Sequence, residues 1–150
     1  SATSKNGDKL VHWCHGAAGV TQVYAFAGQF LNENTFMQVA LKAADCVWKR
    51  GLLKKGNGLC HGIAGNGYCF LTMYRLTRDI EWLMKARVFA LKTQDEHILI
   101  RQSNFEDPQR DVKGIPDTPF SLMEGIAGTL CFYADCLVPD DSRFPCFELF

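Results

Sequence analysis

Three segments of the sequence repeat one short pattern in which two glycines stand three residues apart. The segments are Cys14-His15-Gly16-Ala17-Ala18-Gly19, Cys60-His61-Gly62-Ile63-Ala64-Gly65 and Met123-Glu124-Gly125-Ile126-Ala127-Gly128. The second begins 46 residues after the first, and the third begins 63 residues after the second. Each segment opens an apolar stretch of helical character, whereas strand patterns are nearly absent. A repeat of this kind predicts an all-α fold of stacked helical hairpins, with the glycines serving close packing.

Two segments between the repeats have the apolar spacing of amphipathic helices. The first helix has Phe36, Ala40, Ala44 and Val47 on its predicted face. The second has Ile80, Leu83, Arg87 and Ala90, with Arg87 interrupting the apolar pattern. Residues at this spacing share one face of a helix, so we expect each face to pack against a repeat helix. Asp79 is the predicted N-cap of the second helix.

A polar stretch separates the second amphipathic helix from the third repeat. Thr93 to Lys113 is rich in Asp, Glu and Asn, which predicts a surface loop or insertion. Such an insertion accounts for the longer spacing between the second and third repeats. After this stretch, Thr118 is the predicted N-cap of a new helix, with Pro119 at its first position.

The charge balance excludes several classes of function. Lys and Arg together number 16, as do Asp and Glu, so the formal net charge is zero. Nucleic acid is not expected as a partner, because phosphate binding needs a clustered excess of basic residues. No apolar run has the length of a transmembrane span, and the first residues resemble no signal peptide. The chain also lacks an initiator methionine, from which we expect it to be part of a longer protein.

The seven cysteines are an odd number without the spacing of a disulfide framework. Reduced thiols are therefore expected, and most of them are predicted to be small core residues. Cys14 and Cys60 differ from the others because each precedes His-Gly.

Cys14, Cys60 and His61 form a candidate zinc site. Zinc prefers Cys sulfur and His nitrogen, and its catalytic sites use three protein ligands and leave one position open. An adjacent Cys-His pair can converge on one ion at the first turn of a helix, where the helix dipole also favours thiolate. His15 is a fourth candidate, either as a ligand, as a general acid/base or as a hydrogen-bond partner; we favour a catalytic role beside the metal. The competing interpretation is a pair of packed cysteines beside surface histidines.

The sequence around these motifs resembles the LanC-like (lanthionine synthetase C-like) family, and its eukaryotic branch best. The resemblance lies in His12-Trp13-Cys14-His15-Gly16, in Gly51 to Gly56 running into Gly58-Leu59-Cys60-His61-Gly62, and in Pro116 to Leu122. It implies an α/α toroid whose inner helices open onto a central zinc. Residues 1–150 are then expected to be the C-terminal part of a single toroid domain whose N-terminal hairpins are absent.

The resemblance also implies a chemistry. Bacterial relatives are lanthionine cyclases that add a peptide cysteine to a dehydroamino acid, and eukaryotic relatives bind glutathione. Carried over, the zinc ligands fall on Cys14, Cys60 and His61, and the glutathione-binding lysine falls on Lys55. A second glutathione segment reaches Pro116 and Asp117, but the family's arginine ahead of it is Gly114 here.

Three functions are compatible with these residues. The first is zinc-dependent addition of glutathione or a cysteine thiol to dehydroamino acids in a protein or peptide, with His15 protonating the α-carbon. The second is a non-enzymatic glutathione-binding signalling adaptor. The third, a glycosidase-type toroid that uses Glu124 and Asp117, would leave the Cys/His set unexplained. The expected location is cytoplasmic, with peripheral membrane attachment of the full-length protein left open, and the 150 residues alone are expected to be inactive.

Overall fold

The computed structural model describes residues 10–53, 55–94 and 118–148. These residues contain five α-helices, and their only extended pairing is an isolated bridge between Val11 and Gly16. The helices are α1 (Ala17–Phe30), α2 (Asn34–Arg50), α3 (Ile63–Thr77), α4 (Ile80–Lys92) and α5 (Ile126–Leu137). The predicted all-α class is confirmed.

Four of the helices form two hairpins, and α3 lies at the centre of the arrangement. The helix α1 packs on α2, and α3 packs on α4; α3 also contacts α1 and α5. Every residue from Ile63 to Met73 of α3 is buried. The three helices that follow the repeats are therefore neighbours, while the amphipathic α2 lies outside α1. This is the arrangement expected for part of an α/α toroid.

Aromatic rings fill the space between α3 and its outer partners. The ring of Phe70 lies 5.0 Å from that of Phe89, edge to face, and 6.1 Å from the indole of Trp82, stacked. From α2, the small side chains of Ala40 and Ala44 are fully buried, as predicted. Burying one such ring contributes roughly 1.5–3 kcal/mol, so this cluster is a principal source of hairpin stability.

The last glycine of each repeat is required by a close approach within its own repeat. A Cβ atom at Gly19, Gly65 or Gly128 would lie 2.2, 1.7 or 2.1 Å from the carbonyl oxygen of the residue six positions earlier. The first glycine of each repeat is the N-cap of its helix. The glycines therefore fold each loop against its own helix, whereas the sequence suggested close packing between neighbouring helices.

The buried face of α4 differs from the predicted one. Asp79 is confirmed as the N-cap, because its carboxylate accepts a 2.9 Å hydrogen bond from the Glu81 amide. The residues that α4 buries are Trp82, Leu83, Ala86 and Phe89. Ile80 is 61% exposed and Arg87 is exposed as well. The two bulky aromatic side chains at 82 and 89 set the rotation of the helix, and a pattern of aliphatic residues alone did not reveal this.

The prediction that a helix begins at Thr118 and Pro119 is wrong. Thr118 and Pro119 belong to a turn, and α5 begins only at Ile126 after Gly125 as N-cap. The amide of Ile126 donates to the carbonyl of Pro119 at 2.8 Å, so the intervening residues form a closed loop. Of the predicted surface loop, Thr93 is fully buried at the end of α4, and residues 95–117 lie outside the described residues.

None of the described helices combines the length and the apolar character that crossing a lipid bilayer requires.

Candidate metal centre

The loops that precede the three repeat helices are joined by equivalent backbone hydrogen bonds. The amide of Cys14 donates to the carbonyl of Cys60 at 3.1 Å, and the amide of Cys60 donates to the carbonyl of Met123 at 2.8 Å. Each residue occupies the first position of its repeat. The bonds therefore place corresponding positions of successive repeats side by side, at the N-terminal ends of α1, α3 and α5.

Cys14, Cys60 and His61 converge at this end of the helices. One ligand atom from each lies within 4.8 Å of the other two, and all three residues are half-buried. Donor atoms around a tetrahedral zinc ion stand roughly 3.5–3.8 Å apart, so small side-chain adjustments suffice to close the set on an ion. Two sulfurs and one imidazole nitrogen are also donors that zinc prefers. The residues present fit the metal that the sequence suggested.

The surroundings of the Cys60 thiol disfavour its charged form in the absence of a metal. Burial raises the pKa of the Cys60 thiol to about 11, with further contributions from a hydrogen bond with Cys14 and from the negative charges of Cys14 and Glu124. The helix N-terminus was expected to favour thiolate, but in the metal-free chain burial outweighs it. A bound divalent cation reverses the balance, because it deprotonates a coordinating thiol.

His15 lies beside the cluster. Its Nδ1 atom is 3.1 Å from the sulfur of Cys14, and its side chain is exposed. The three-residue cluster does not include it. The structure thus brings His15 to a ligand sulfur and keeps its ring accessible to solvent.

Lys55 and His12 lie near the same centre. His12 is only 6% exposed, and its ring is 6.0 Å from that of His61. Burial lowers the pKa of His12, and the positive charges of Lys55, His61 and His15 lower it further. Lys55 is exposed, so its ammonium group is accessible to a ligand. Pro116 and Asp117, the other predicted glutathione contacts, lie outside the described residues.

Two supporting residues were missed from the sequence. The fully buried Asn66 donates through Nδ2 to the carbonyls of Val11 and Gly51, both at 2.9 Å, and so fastens the loop before Cys14 to the end of α2. The second is His12, which is buried near the ring of His61 and stands two residues before Cys14. Its position in His-Trp-Cys-His-Gly was the available signal, whereas Asn66 gave none.

An apolar cleft of about 470 Å³ adjoins Cys14. Its walls include the aromatic side chains of Trp13, Tyr24 and Phe147, together with Val20 and Val23 of α1. All seven cysteines are free thiols, and only Cys69 and Cys136 among them are buried, so the prediction that most lie in the core is wrong.

Comparisons with a family model and with curated proteins indicate the same family. The family described as "Lanthionine synthetase C-like protein" matches residues 1–149. The chain is 44% identical over 142 residues to a zebrafish (Danio rerio) protein named "Glutathione S-transferase LANCL1", covering 95% of this chain and 32% of the relative. It is 39% identical over 143 residues to "LanC-like protein GCL1" of Arabidopsis thaliana, covering 95% of this chain and 31% of the relative. The chain spans about a third of the length of these curated relatives, and it belongs to the lanthionine synthetase C-like family.

Proposed function

We propose that this chain supplies the metal-holding part of a zinc-dependent enzyme that adds the thiol of glutathione to dehydroamino acid residues in a protein or peptide. The observation that carries the proposal is the convergence of Cys14, Cys60 and His61 on one point. The name of the zebrafish relative, a glutathione S-transferase, supports glutathione as the thiol donor. The chain would be the C-terminal part of a single toroid domain.

The donor set suits thiol activation. Three protein ligands are typical of catalytic zinc sites, whereas structural sites use four. A zinc ion held there would lower the pKa of a bound donor thiol and keep it as thiolate near neutral pH. The cleft beside Cys14 would give an acceptor peptide access to the same end of the helices.

The addition is balanced in atoms and charge. The donor sulfur bonds to the β-carbon of the dehydroamino acid, the π electron pair moves to the α-carbon, and that carbon takes up a proton in place of the one the thiol lost. His15 would hold and deliver this proton, because its ring contacts the sulfur of Cys14 and remains accessible to solvent.

Lys55 would bind a carboxylate of glutathione. Its side chain is exposed, and its positive charge contributes to lowering the pKa of His12 beside the cluster. A charge-assisted hydrogen bond from an ammonium group is among the stronger polar contacts in water. Pro116 and Asp117 are proposed to contact the same ligand.

The test is to mix the full-length protein with glutathione and a dehydroalanine peptide and to follow the adduct by mass spectrometry. We expect adduct formation that Cys60→Ala abolishes, while Cys46→Ala, which removes a half-buried thiol of α2 outside the cluster, retains it. An adduct that forms equally with Cys60→Ala would contradict the proposal. Glutathione binding without adduct would instead favour a non-enzymatic adaptor.

A further inference from the structure

We propose that the C-terminal segment Phe144–Glu148 is a positioning element for Cys14, acting through the indole ring of Trp13. The proposal rests on the proposed function in one respect: it takes Cys14 to be a metal ligand. The cluster of Cys14, Cys60 and His61 includes no residue of this segment. Two rings of the segment instead contact Trp13, the residue bonded to Cys14.

Two aromatic rings of the segment hold the indole of Trp13. The ring of Phe144 stacks on it with a centroid distance of 4.3 Å and an interplanar angle of 11°. The ring of Phe147 meets it edge-on at 5.2 Å and 88°. Both geometries are favourable for aromatic pairs. Because the peptide bond between Trp13 and Cys14 is planar and rigid, an indole fixed on two sides restricts the backbone from which the Cys14 sulfur extends.

A third contact fixes the rotation of the indole. Its Nε1–H donates a 2.7 Å hydrogen bond to Oε1 of Gln22, a fully buried residue of α1. The Nε2 group of Gln22 in turn donates to the hydroxyl of Thr72 in α3 at 3.2 Å. A buried amide that uses both its oxygen and its nitrogen in this way has one orientation. The indole is therefore tied to both α1 and α3.

The same hydrogen-bond chain ends on the C-terminal segment. The hydroxyl of Thr72 lies 3.4 Å from Oε1 of Glu148, to which it donates. Glu148 also forms an ion pair with Arg75, and the two side chains are only 4% and 8% exposed. The guanidinium group of Arg75 donates as well to the carbonyl of Ser142. The segment is thus fastened to α3 at both ends of its run past Trp13.

Packing alone does not account for this arrangement. Burying an ion pair has a desolvation cost that apolar side chains would avoid, so its gain lies in a fixed geometry. Here three groups contact one indole: the rings of Phe144 and Phe147 and the side-chain amide of Gln22. Trp13, Phe147 and Cys14 also line the same cleft, so displacement of the rings would open the space beside the sulfur.

The experiment compares Phe144→Leu and Phe147→Leu with Phe89→Leu in the intact protein. Phe89 is fully buried like Phe144, but its ring contacts lie with Trp48 and Phe70, away from Trp13. Phe147 is 48% exposed, so its replacement has little effect on folding stability. Thermal unfolding of each variant identifies any general loss of stability.

Two readouts report on Cys14. In the metal-free protein, peptide mass spectrometry follows iodoacetamide alkylation of Cys14 relative to Cys60 in the same molecules. The second readout is a titration with Co²⁺ alone, which records the sulfur-to-metal charge-transfer band. Competition with Zn²⁺ then gives the zinc affinity. We expect both segment variants to raise the Cys14-to-Cys60 alkylation ratio, to shift the cobalt band and to weaken zinc binding by about 10-fold. The Phe89→Leu control should leave all three unchanged.

An alkylation ratio that stays unchanged in Phe144→Leu, or that changes equally in Phe89→Leu, would overturn the positioning role. A protein that binds neither Co²⁺ nor Zn²⁺ would remove the proposed function instead. In that case the alkylation ratio, which needs no metal, still decides whether the segment positions Cys14.

Discussion

The amide of Cys14 donates a 3.1 Å hydrogen bond to the carbonyl oxygen of Cys60. This bond joins two loops that are 46 residues apart in the sequence and places their two thiols next to each other. The spacing of the ligands therefore differs from the short Cys-x-x-Cys spacing of structural zinc sites, because the repeat and not a local turn brings the sulfurs together. It also means that ligand geometry depends on how α1 packs on α3.

Zinc content provides the first test. We expect one zinc ion per chain in the full-length protein, and loss of that zinc in Cys14→Ala and in Cys60→Ala, because each removes one of three donors. Elemental analysis by mass spectrometry measures this. Cys46→Ala, which removes a half-buried thiol of α2 outside the cluster, should keep its zinc. Full zinc content in the Cys14→Ala/Cys60→Ala double variant would rule out the site.

Glutathione affinity should depend on Lys55. Replacing it by alanine removes a charge-assisted hydrogen bond to a glutathione carboxylate and should weaken binding by about 1.5–3 kcal/mol, without loss of zinc. Isothermal titration calorimetry measures the change. Lys42→Ala, an exposed lysine on α2, is the matched control. Equal affinities in the two variants would identify Lys55 as a solvated surface residue.

Gly65→Ala should strongly destabilise the fold. The added Cβ would lie 1.7 Å from the carbonyl oxygen of Leu59, and backbone on both sides of the contact would have to move. We expect a loss of about 3 kcal/mol in the free energy of unfolding, measured by urea denaturation. Gly67→Ala on the same helix is the comparison, because its new contact is the far end of the Phe132 ring, which can shift. A smaller loss for Gly65→Ala than for Gly67→Ala would contradict the close-approach argument.

Alkylation of Cys60 in the metal-free protein should be slow at neutral pH. Its pKa is raised to about 11, so the reactive thiolate is scarce at pH 8, and the rate should keep rising until the pH passes about 11. Glu124→Gln removes one of the negative charges responsible and should shift this profile to lower pH. Iodoacetamide rates located by peptide mass spectrometry give both profiles. A Cys60 rate that levels off near pH 8.5 would show that the thiol is not perturbed.

The 150 residues in isolation should associate and should lack thiol-addition activity. Phe30 is 93% exposed, and Val23 and Leu130 on two of the repeat helices are also exposed, so apolar surface remains uncovered. The relatives are about three times as long, which leaves room for the elements that would cover it. Light scattering should detect oligomers. A monomeric chain that forms the glutathione adduct at full-length rates would show that the active unit is smaller than a closed ring.

Local patterns in the sequence predicted the features that depend on local chemistry. The all-α class and the N-cap at Asp79 followed from periodicity and from a single capping side chain. The neighbouring cysteines followed from the repeat. The helix predicted at Thr118 and Pro119 is absent because the same residues make an equally good turn, in which the amide of Ser121 donates to the carbonyl of Thr118.

Long-range contacts account for the other differences. Asn66 fastens segments that are 55 and 15 residues away, and no pattern around it indicates this. The pKa of Cys60 depends on Glu124 and on burial by several helices, so a helix-terminus argument alone gave the wrong direction. Sequence therefore identified the donor residues, but not the environment that controls their ionisation.

The hydrogen bonds that join Cys14 to Cys60 and Cys60 to Met123 are equivalent, so the backbone repeats an arrangement that the side chains do not repeat. The backbone of Cys60 lies beside that of Met123 in the same way as the backbone of Cys14 lies beside that of Cys60. Met123 and Glu124 occupy the places where a second cysteine and histidine pair would complete another donor set. The identity of two side chains, and not the path of the chain, thus decides which of two neighbouring gaps between helices is suited to a metal.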